Sequence, residues 1–274
     1  MNSQFIKHTE GDVVFFTFEH FDALSFMDHC FTSKLGGVSS GPYEGLNLGY
    51  NAGDLEADVN KNHQLLCKAV GLEDQSFVFS KQVHKTDVYQ VNETFDSKVD
   101  QAQIKAVDGL ITNAPNYALH TVYADCVPIF IVDPVNKAVG VAHAGWRGTV
   151  NRIAQSLLEA MTDSYGTTPE TCLAGLGPSI GPCCFEVGKE VTYTFIKAFG
   201  NKPFYLERST GTKDYIDLWK TNAYILEELG IPSDAIICAE MCTCCHPEYF
   251  YSYRRDQGVT GRMAGIIKVN SPSD

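Results

Sequence analysis

The sequence predicts one α/β domain of the α+β kind over residues 1–274, with mixed β-sheets flanked by helices, and three observations predict it. Short β-branched runs and amphipathic helical stretches alternate irregularly, which suits mixed sheets better than a regular βα repeat. No Pro/Gly/Ser-rich linker, fixed-period repeat or low-complexity tract divides the chain. Hydrophobic residues make up 44% and charged residues 20%, proportions that support a sizeable core and argue against disorder. A length of 274 residues admits one large domain or two small ones, and the missing linker favours one.

Taken in order, Val13–Phe18 and Asp28–Thr32 read as strands. The second leads into residues 33–49, where glycines and Pro42 forbid regular structure while Tyr43, Leu46 and Leu48 favour packing over disorder. Asp58 is the expected cap of a helix carrying Val59, Leu65, Leu66, Ala69 and Val70 and ending at Gly71. Phe77–Phe79 and Val88–Val91 are predicted strands flanking a connection that carries His84. Residues 92–106 are polar without apolar periodicity and read as a surface excursion, after which Asp108–Thr112 resumes the sheet. Val150, Ile153, Ala154, Leu157, Leu158 and Met161 follow the spacing of a helix with one buried face. Cys172–Leu176 is a predicted strand, followed by a glycine-rich turn, Gly177–Gly188, and a helix through Phe199. Such a turn can present N–H groups to an anion, but a plain tight turn explains it as well. Asp217–Gly230 has a capping Asp, an apolar face at Leu218, Ala223, Leu226 and Leu229, and a terminating glycine. Ile236–Cys238 and Thr260–Ile267 complete the predicted strands.

The most informative stretch is Tyr117–Met161. Ile129–Val132 and Ala138–Ala142 are apolar runs joined by Asp133-Pro-Val-Asn-Lys137, a turn composition, and so predict an antiparallel hairpin. With the turn centred near Val135, paired numbers sum to about 270, which places Cys126 roughly opposite His143. Pro128 cannot donate to the ladder, so this register is open by a residue. Facing strand residues lie about 4.5–5.5 Å apart at Cβ, a spacing that suits two ligands of one zinc ion or a Cys-His nucleophile pair. A buried thiol beside an unrelated histidine is the bland alternative. Asp125 next to the thiol and Gly145-Trp-Arg-Gly148 after the histidine weigh against it.

A net charge of −12 disfavours nucleic acid or an anionic membrane as partner, so any phosphate must meet a local cluster of donors. The first ten residues lack a basic segment followed by an apolar one, and the longest apolar run, near Val127–Val132, is too short to span a bilayer. The expectation is a soluble, cytoplasmic protein whose ten cysteines are reduced thiols or metal ligands. No protein partner is predicted.

A catalytic zinc site needs three protein ligands and an open position. Cys126 and His143 supply two, and His84, on a connection near Gln82 and Asp87, is the best third. His8 and His20 lie in ordinary surroundings, His63 falls inside a helix, and His29 and His120 fall in strand-like runs. Cys242 and Cys245 form a CxxC beside His246, but a closed site needs four ligands and no second CxxC is available, so packed thiols are expected there. The zinc deaminase signature is absent, because His143-Ala-Gly145 lacks its Glu and Pro182-Cys-Cys184 lacks its spacing. A true multicopper oxidase is disfavoured, with eight histidines and no H-x-H pair.

Several separate motifs, in order over nearly the whole chain, carry a resemblance. They are Phe31-Thr-Ser-Lys-Leu-Gly-Gly-Val-Ser39, Gln82-Val-His84, Ala124-Asp-Cys-Val-Pro128, Ala142-His-Ala-Gly-Trp-Arg-Gly148, Gly177-Pro-Ser-Ile-Gly-Pro-Cys-Cys-Phe-Glu-Val187, Tyr251-Ser-Tyr-Arg-Arg-Asp256 and Thr260-Gly-Arg-Met263. The sequence resembles the polyphenol oxidase or laccase-domain family, also called the purine nucleoside phosphorylase family of the YfiH and FAMIN type. The resemblance implies a fold related to the cytotoxic necrotising factor catalytic domain. It also implies one metal ion, zinc with copper as the other option, on His84, Cys126 and His143. One departure is Lys34, where the family commonly has Arg; at a phosphate clamp the charge would remain and the bidentate geometry would be lost.

The activities the resemblance implies are phosphorolysis of adenosine, inosine, guanosine and methylthioadenosine, and deamination of adenosine, with purine nucleosides and inorganic phosphate as small-molecule partners. Cys126, His143, His84 and Asp125 are the candidate catalytic residues, Asp125 as a proton carrier. Ser33, Lys34, Asn47, Gln82, Arg147 and Arg254 are the candidate substrate contacts, with Arg255 a further phosphate candidate. The alternatives are a copper-dependent polyphenol oxidase, a metal-free Cys-His thiol hydrolase acting on a cell-wall precursor amide, and a vestigial site on a binding protein.

Overall fold

The computed structural model describes residues 4–72, 76–96, 100–102, 104, 106–200, 205–210 and 212–271. Its strands are β1 (Phe5–Glu10), β2 (Val13–Phe18), β3 (Met27–Thr32), β4 (Ser76–Phe79), β5 (Val88–Val91), β6 (Gly109–Thr112), β7 (Tyr117–Tyr123), β8 (Val127–Asp133), β9 (Ala138–Ala144), β10 (Leu173–Leu176), β11 (Glu186–Gly188), β12 (Leu206–Thr210), β13 (Lys213–Ile216), β14 (Ile236–Cys238) and β15 (Met263–Val269). The helices are α1 (Glu19–Asp22), α2 (Glu56–Val70), α3 (Trp146–Val150), α4 (Ile153–Tyr165), α5 (Lys189–Phe199) and α6 (Leu218–Glu228).

Both large sheets are mixed, as the irregular alternation of elements predicts. The first has the order β1-β2-β3-β15-β7-β4 and is antiparallel except for β4 beside β7. The second has the order β14-β10-β8-β9-β6-β5, antiparallel in the middle and parallel at both margins. A three-stranded antiparallel sheet, β11-β13-β12, adjoins them.

The two large sheets pack face to face, and helices cover their outer faces. On β8, Phe130 and Val132 join Phe16, Phe31 and Tyr123 in the core between the sheets. Ile129 and Ile131 point the other way, to Leu157, Met161 and Ile225 of the helical layer. This strand is buried on both faces, which is why its sequence is a continuous apolar run rather than an alternation. On β9 the helix-facing positions are small, and a Cβ at Gly140 would stand 3.0 Å from Met161 Sδ and 3.2 Å from Leu157 Cδ1. The small side chains let α4 approach the sheet. On the outer face of the first sheet, Leu66 of α2 packs with Val13, Cys30, Ala118 and Ile266.

Several sequence expectations change in detail. The hairpin register sums to 271, so His143 faces Pro128 and Cys126 lies just before the strand. Leu55, not Asp58, occupies the N-cap of α2; Asp58 sits in the first turn, where its charge favours the helix N-terminus. The helix predicted from Val150 to Met161 is divided into α3 and α4, because Arg152 adopts a left-handed backbone with φ 62°. The 92–106 excursion, of which residues 97–99, 103 and 105 lie outside the described set, sends Phe95 and Ile104 into the core. The glycine-rich turn leads into β11 rather than straight into a helix. Asp217 caps α6 as expected, accepting the Lys220 N–H at 2.9 Å. Among the described residues, no helix is long and apolar enough to cross a membrane.

Candidate metal centre and substrate cleft

The open end of the β8–β9 hairpin brings three predicted ligands together. The ligand atoms of His84, Cys126 and His143 all lie within 4.8 Å of one another. Cys126 Sγ is 3.9 Å from His84 Nε2, a few tenths more than the roughly 3.6 Å expected across a tetrahedral zinc with ordinary Zn–S and Zn–N bonds. The rings of His84 and His143 meet edge to face at 4.8 Å. One thiolate and two imidazoles form a donor set that fits zinc, with room for a fourth position.

A buried carboxylate that sequence reasoning left unassigned builds this arrangement. Asp108 Oδ1 lies 2.9 Å from His143 Nδ1, which leaves Nε2 for the side of Cys126. The same carboxylate accepts three successive backbone amides, from Val83 at 3.0 Å, His84 at 3.0 Å and Lys85 at 2.8 Å. Wrapping three N–H groups around one anion requires a left-handed residue among them, and His84 has φ 60°. Asp108 therefore orients one ligand through its ring and the other through its backbone. The carboxylate–histidine pairing is the usual outer support of a metal-bound imidazole. Gly145 closes the site from behind, since a Cβ there would come within 2.9 Å of His84 Cδ2 and 3.0 Å of Cys126 Sγ.

The electrostatics of the trio are coupled. Burial pushes the Cys126 thiol up, but the charge of His143 and hydrogen bonds from His143 and His84 outweigh it and bring the thiol down to about 6. Burial lowers His143, yet the Cys126 thiolate and Asp108 raise it to about 9. Burial also raises Asp108, and the hydrogen bonds from His143, Lys85 and Val83 outweigh that and hold it below the ordinary carboxylate value.

The trio opens into a cleft of about 670 Å³. Its lining includes Tyr50, Phe79, Val122 and His120. Tyr50 meets Phe79 edge to face at 5.9 Å, and His120 Nε2 is buried without a hydrogen-bond partner. The lining also includes Lys81, Arg147, Arg254 and Arg262, four cationic side chains in a chain of net charge −12.

The remaining candidates divide between this cleft and the scaffold. Gln82 lines the cleft, with its amide pinned to both backbone groups of Val122, Oε1 accepting at 2.8 Å and Nε2 donating at 2.7 Å. Arg147 stacks on Trp146 at 4.3 Å. Arg254 lies over Phe185 and donates to the carbonyls of Cys184 and Glu186 at 3.0 and 2.9 Å. Asp125 also lines the cleft, but both of its oxygens are engaged at 2.6 Å, by the Thr243 hydroxyl and the Arg254 N–H. With φ 85°, it holds the corner beside Cys126 rather than standing free to carry a proton. Ser33 is fully buried and accepts the Leu35 N–H at 3.0 Å. Lys34 lies off the cleft walls, near Glu248. Asn47 braces the scaffold, its Oδ1 accepting the Arg262 N–H at 2.8 Å and its Nδ2 donating to Asp54 at 2.9 Å. The guanidinium of Arg255 is consumed by Asp256 and the carbonyls of Thr243 and Phe250. Sequence reasoning missed Asp108, Lys81 and Arg262; the last lay inside the Thr260–Met263 motif, and an Asp placed directly before the largely apolar, wholly buried strand Gly109–Thr112 was the signal for the first.

A family model described as multi-copper polyphenol oxidoreductase laccase matches residues 28–270. The chain is 39% identical over 241 residues to "Purine nucleoside phosphorylase YlmD" of Bacillus subtilis (strain 168), covering 86% of each protein. It is 36% identical over 231 residues to "Adenosine deaminase RL5" of an unknown prokaryotic organism, covering 82% of this chain and 88% of that one. The crystal structure of YlmD from Geobacillus stearothermophilus superposes with a TM-score of 0.89 at 31% identity, over 97% of this chain and 100% of that one. On this likeness, which runs through fold and sequence alike, the chain belongs to the multi-copper polyphenol oxidoreductase laccase family, whose relatives here carry the names of purine nucleoside phosphorylases and an adenosine deaminase.

Proposed function

We propose that this protein is a metal-dependent purine nucleoside enzyme. It would cleave adenosine, inosine, guanosine and S-methyl-5'-thioadenosine with inorganic phosphate, giving the free base and the (methylthio)ribose 1-phosphate, and would deaminate adenosine to inosine with water. One observation carries the reading: the His84, Cys126 and His143 trio opens into a cleft lined by both aromatic and cationic side chains. A purine nucleoside and phosphate need both. The names of the relatives support the same class of chemistry.

Zinc is the metal proposed here, with copper as the other option for this donor set, and when bound it would supply Lewis acidity and a lowered pKa for a coordinated water. The chain's own residues do the rest. Asp108 fixes the tautomer of His143 and the backbone of His84. Tyr50 and Phe79 offer ring faces and edges to the base. Arg147, Arg262 and Lys81 spread positive charge where a phosphate oxygen attacks the ribose C1′ as the bond to the purine breaks. Asp125 keeps Arg254 and the Cys126 corner in place.

Product analysis on adenosine tests this. The zinc-loaded protein should yield adenine only when phosphate is present and inosine in its absence, and chelation should stop both. Cys126→Ala should remove both activities from a folded protein. Zinc-loaded protein that forms neither product, or full turnover by the variant, sinks the proposal.

A second reading has a specific observation behind it. Cys126, His143 and Asp108 line up as thiol, imidazole and carboxylate, the arrangement of a metal-free thiol hydrolase. On that reading Cys126 remains open to alkylation at saturating zinc, whereas a ligating thiolate is protected.

A further inference from the structure

The cleft walls include two long irregular segments, residues 177–185 and 239–262, that carry Ile180, Phe185, Tyr253, Arg254 and Arg262. Segments of that length without helix or strand need something to hold them. They run side by side, with Ser179 bridged to Cys242 and the Thr243 N–H donating to the Ser179 carbonyl at 3.0 Å.

At their junction four cysteines converge. The sulfurs of Cys183, Cys184, Cys242 and Cys245 all lie within 4.8 Å of one another, at 3.4 Å between Cys184 and Cys245 and 3.6 Å between Cys183 and Cys245. None is in a disulfide. Four thiolates around one zinc at about 2.3 Å stand about 3.8 Å apart along the edges of the tetrahedron, so the observed spacing is that of a single ion. An iron–sulfur cluster would spread the thiolates over several irons and hold them further apart. A backbone amide is already aimed at one sulfur, the Gly181 N–H at 3.2 Å from Cys242 Sγ. That approach is available because residue 181 has no Cβ, which would meet Trp219 at 2.7 Å and Cys242 Cβ at 3.1 Å. The adjacent Cys183-Cys184 pair thus supplies the two ligands that the Cys242-x-x-Cys245 pair lacks.

The geometry points to a second metal site: Cys183, Cys184, Cys242 and Cys245 bind one zinc ion in a closed, all-thiolate structural site that staples the two irregular walls of the cleft together. Each thiol gives up its proton on binding and no electron moves. The ion sits one residue from Thr243, whose hydroxyl holds Asp125 beside Cys126, and Cys184 offers the carbonyl that receives Arg254. The staple therefore positions the catalytic corner without touching substrate.

Metal counting tests it. Protein prepared with zinc under reducing conditions and dialysed against metal-free buffer should hold two equivalents per chain. Cys126→Ala with His143→Ala should keep one, and Cys183→Ser with Cys245→Ser should keep the other while losing several degrees in Tm. Cobalt(II) in place of zinc should give the strong sulfur-to-metal charge-transfer intensity of a four-thiolate site in the wild type and in the first variant, and fall in the second to the weaker absorption of the single Cys126 thiolate. Should the first variant fail to fold, the cobalt spectrum of the wild type against the second variant decides alone. A folded Cys126→Ala/His143→Ala protein that retains no zinc overturns the proposal. So does an unreduced mass lower by two hydrogens with Cys245 linked to Cys183 or Cys184, which would make the cluster a disulfide.

Discussion

Asp108 is the residue on which the candidate centre turns, because one fully buried carboxylate serves both histidines. Asp108→Asn keeps the size and loses the charge, and its amide can satisfy only part of a ring of donors. Losing such a support typically costs 10–100-fold in metal affinity, and Asp108→Asn should lower zinc affinity by about that factor, read by chelator competition. Unchanged affinity would remove Asp108 from the centre. The coupled thiol and imidazole make a second prediction for the metal-free protein. The Cys126 thiol is lowered from 9.0 to about 6, so its contribution to stability is complete above the ordinary thiol value and lost as pH falls through about 6. His143 is raised from 6.5 to about 9, so its contribution is complete below 6.5 and lost as pH rises through about 9. Thiolate and imidazolium coexist between those limits. Alkylation of Cys126, followed by peptide mass spectrometry, should therefore have a midpoint near pH 6 instead of the ordinary thiol value.

Elements show which local rules governed and which gave way. α6 begins where its cap is, and Asp217→Ala should cost about 1 kcal/mol in a denaturant titration, the usual loss of an N-cap acceptor. At Gly140, Gly140→Val sets branched carbon against Met161 and Leu157 and should cost about 1–3 kcal/mol by overpacking; stability equal to wild type would mean that α4 sits less closely on β9 than the structure shows. Strand positions were legible because β-branched runs between turn residues leave few alternatives, and Val88–Val91 and Ile236–Cys238 lie where they are predicted. The break between α3 and α4 was not legible, because the periodicity of buried positions continues through Arg152. Its left-handed backbone accompanies a guanidinium that donates to Gln155 at 2.6 Å and to Glu228 of α6 at 2.6 Å, contacts that a local pattern cannot reveal.

At the scale of the whole molecule, acidity and function are reconciled by segregation. A chain of net charge −12 places Lys81, Arg147, Arg254 and Arg262 in the lining of one cleft, so the proposed phosphate would meet local positive charge there while longer polyanions would meet net repulsion. Arg147→Ala should raise the phosphate KM severalfold with little change in Tm, since the guanidinium is exposed and stacks on the Trp146 ring. An unaltered phosphate KM would move the anion site elsewhere on the wall.

The sequence by itself determined the class of fold, most strands, the hairpin and the choice of His84, Cys126 and His143, because periodicity, turn residues and ligand chemistry are local properties. Tertiary structure alone decided which candidates share the cleft. The side chains of Ser33, Asn47 and Arg255 are engaged by the scaffold and Lys34 lies off the cleft wall, whereas Lys81 and Arg262 line it. Only folding joined Cys183 and Cys184 to Cys242 and Cys245. The reason is physical: a site is a meeting of side chains across sheets and loops, and the distance at which residues meet is set by how layers pack, not by how far apart they stand in the chain.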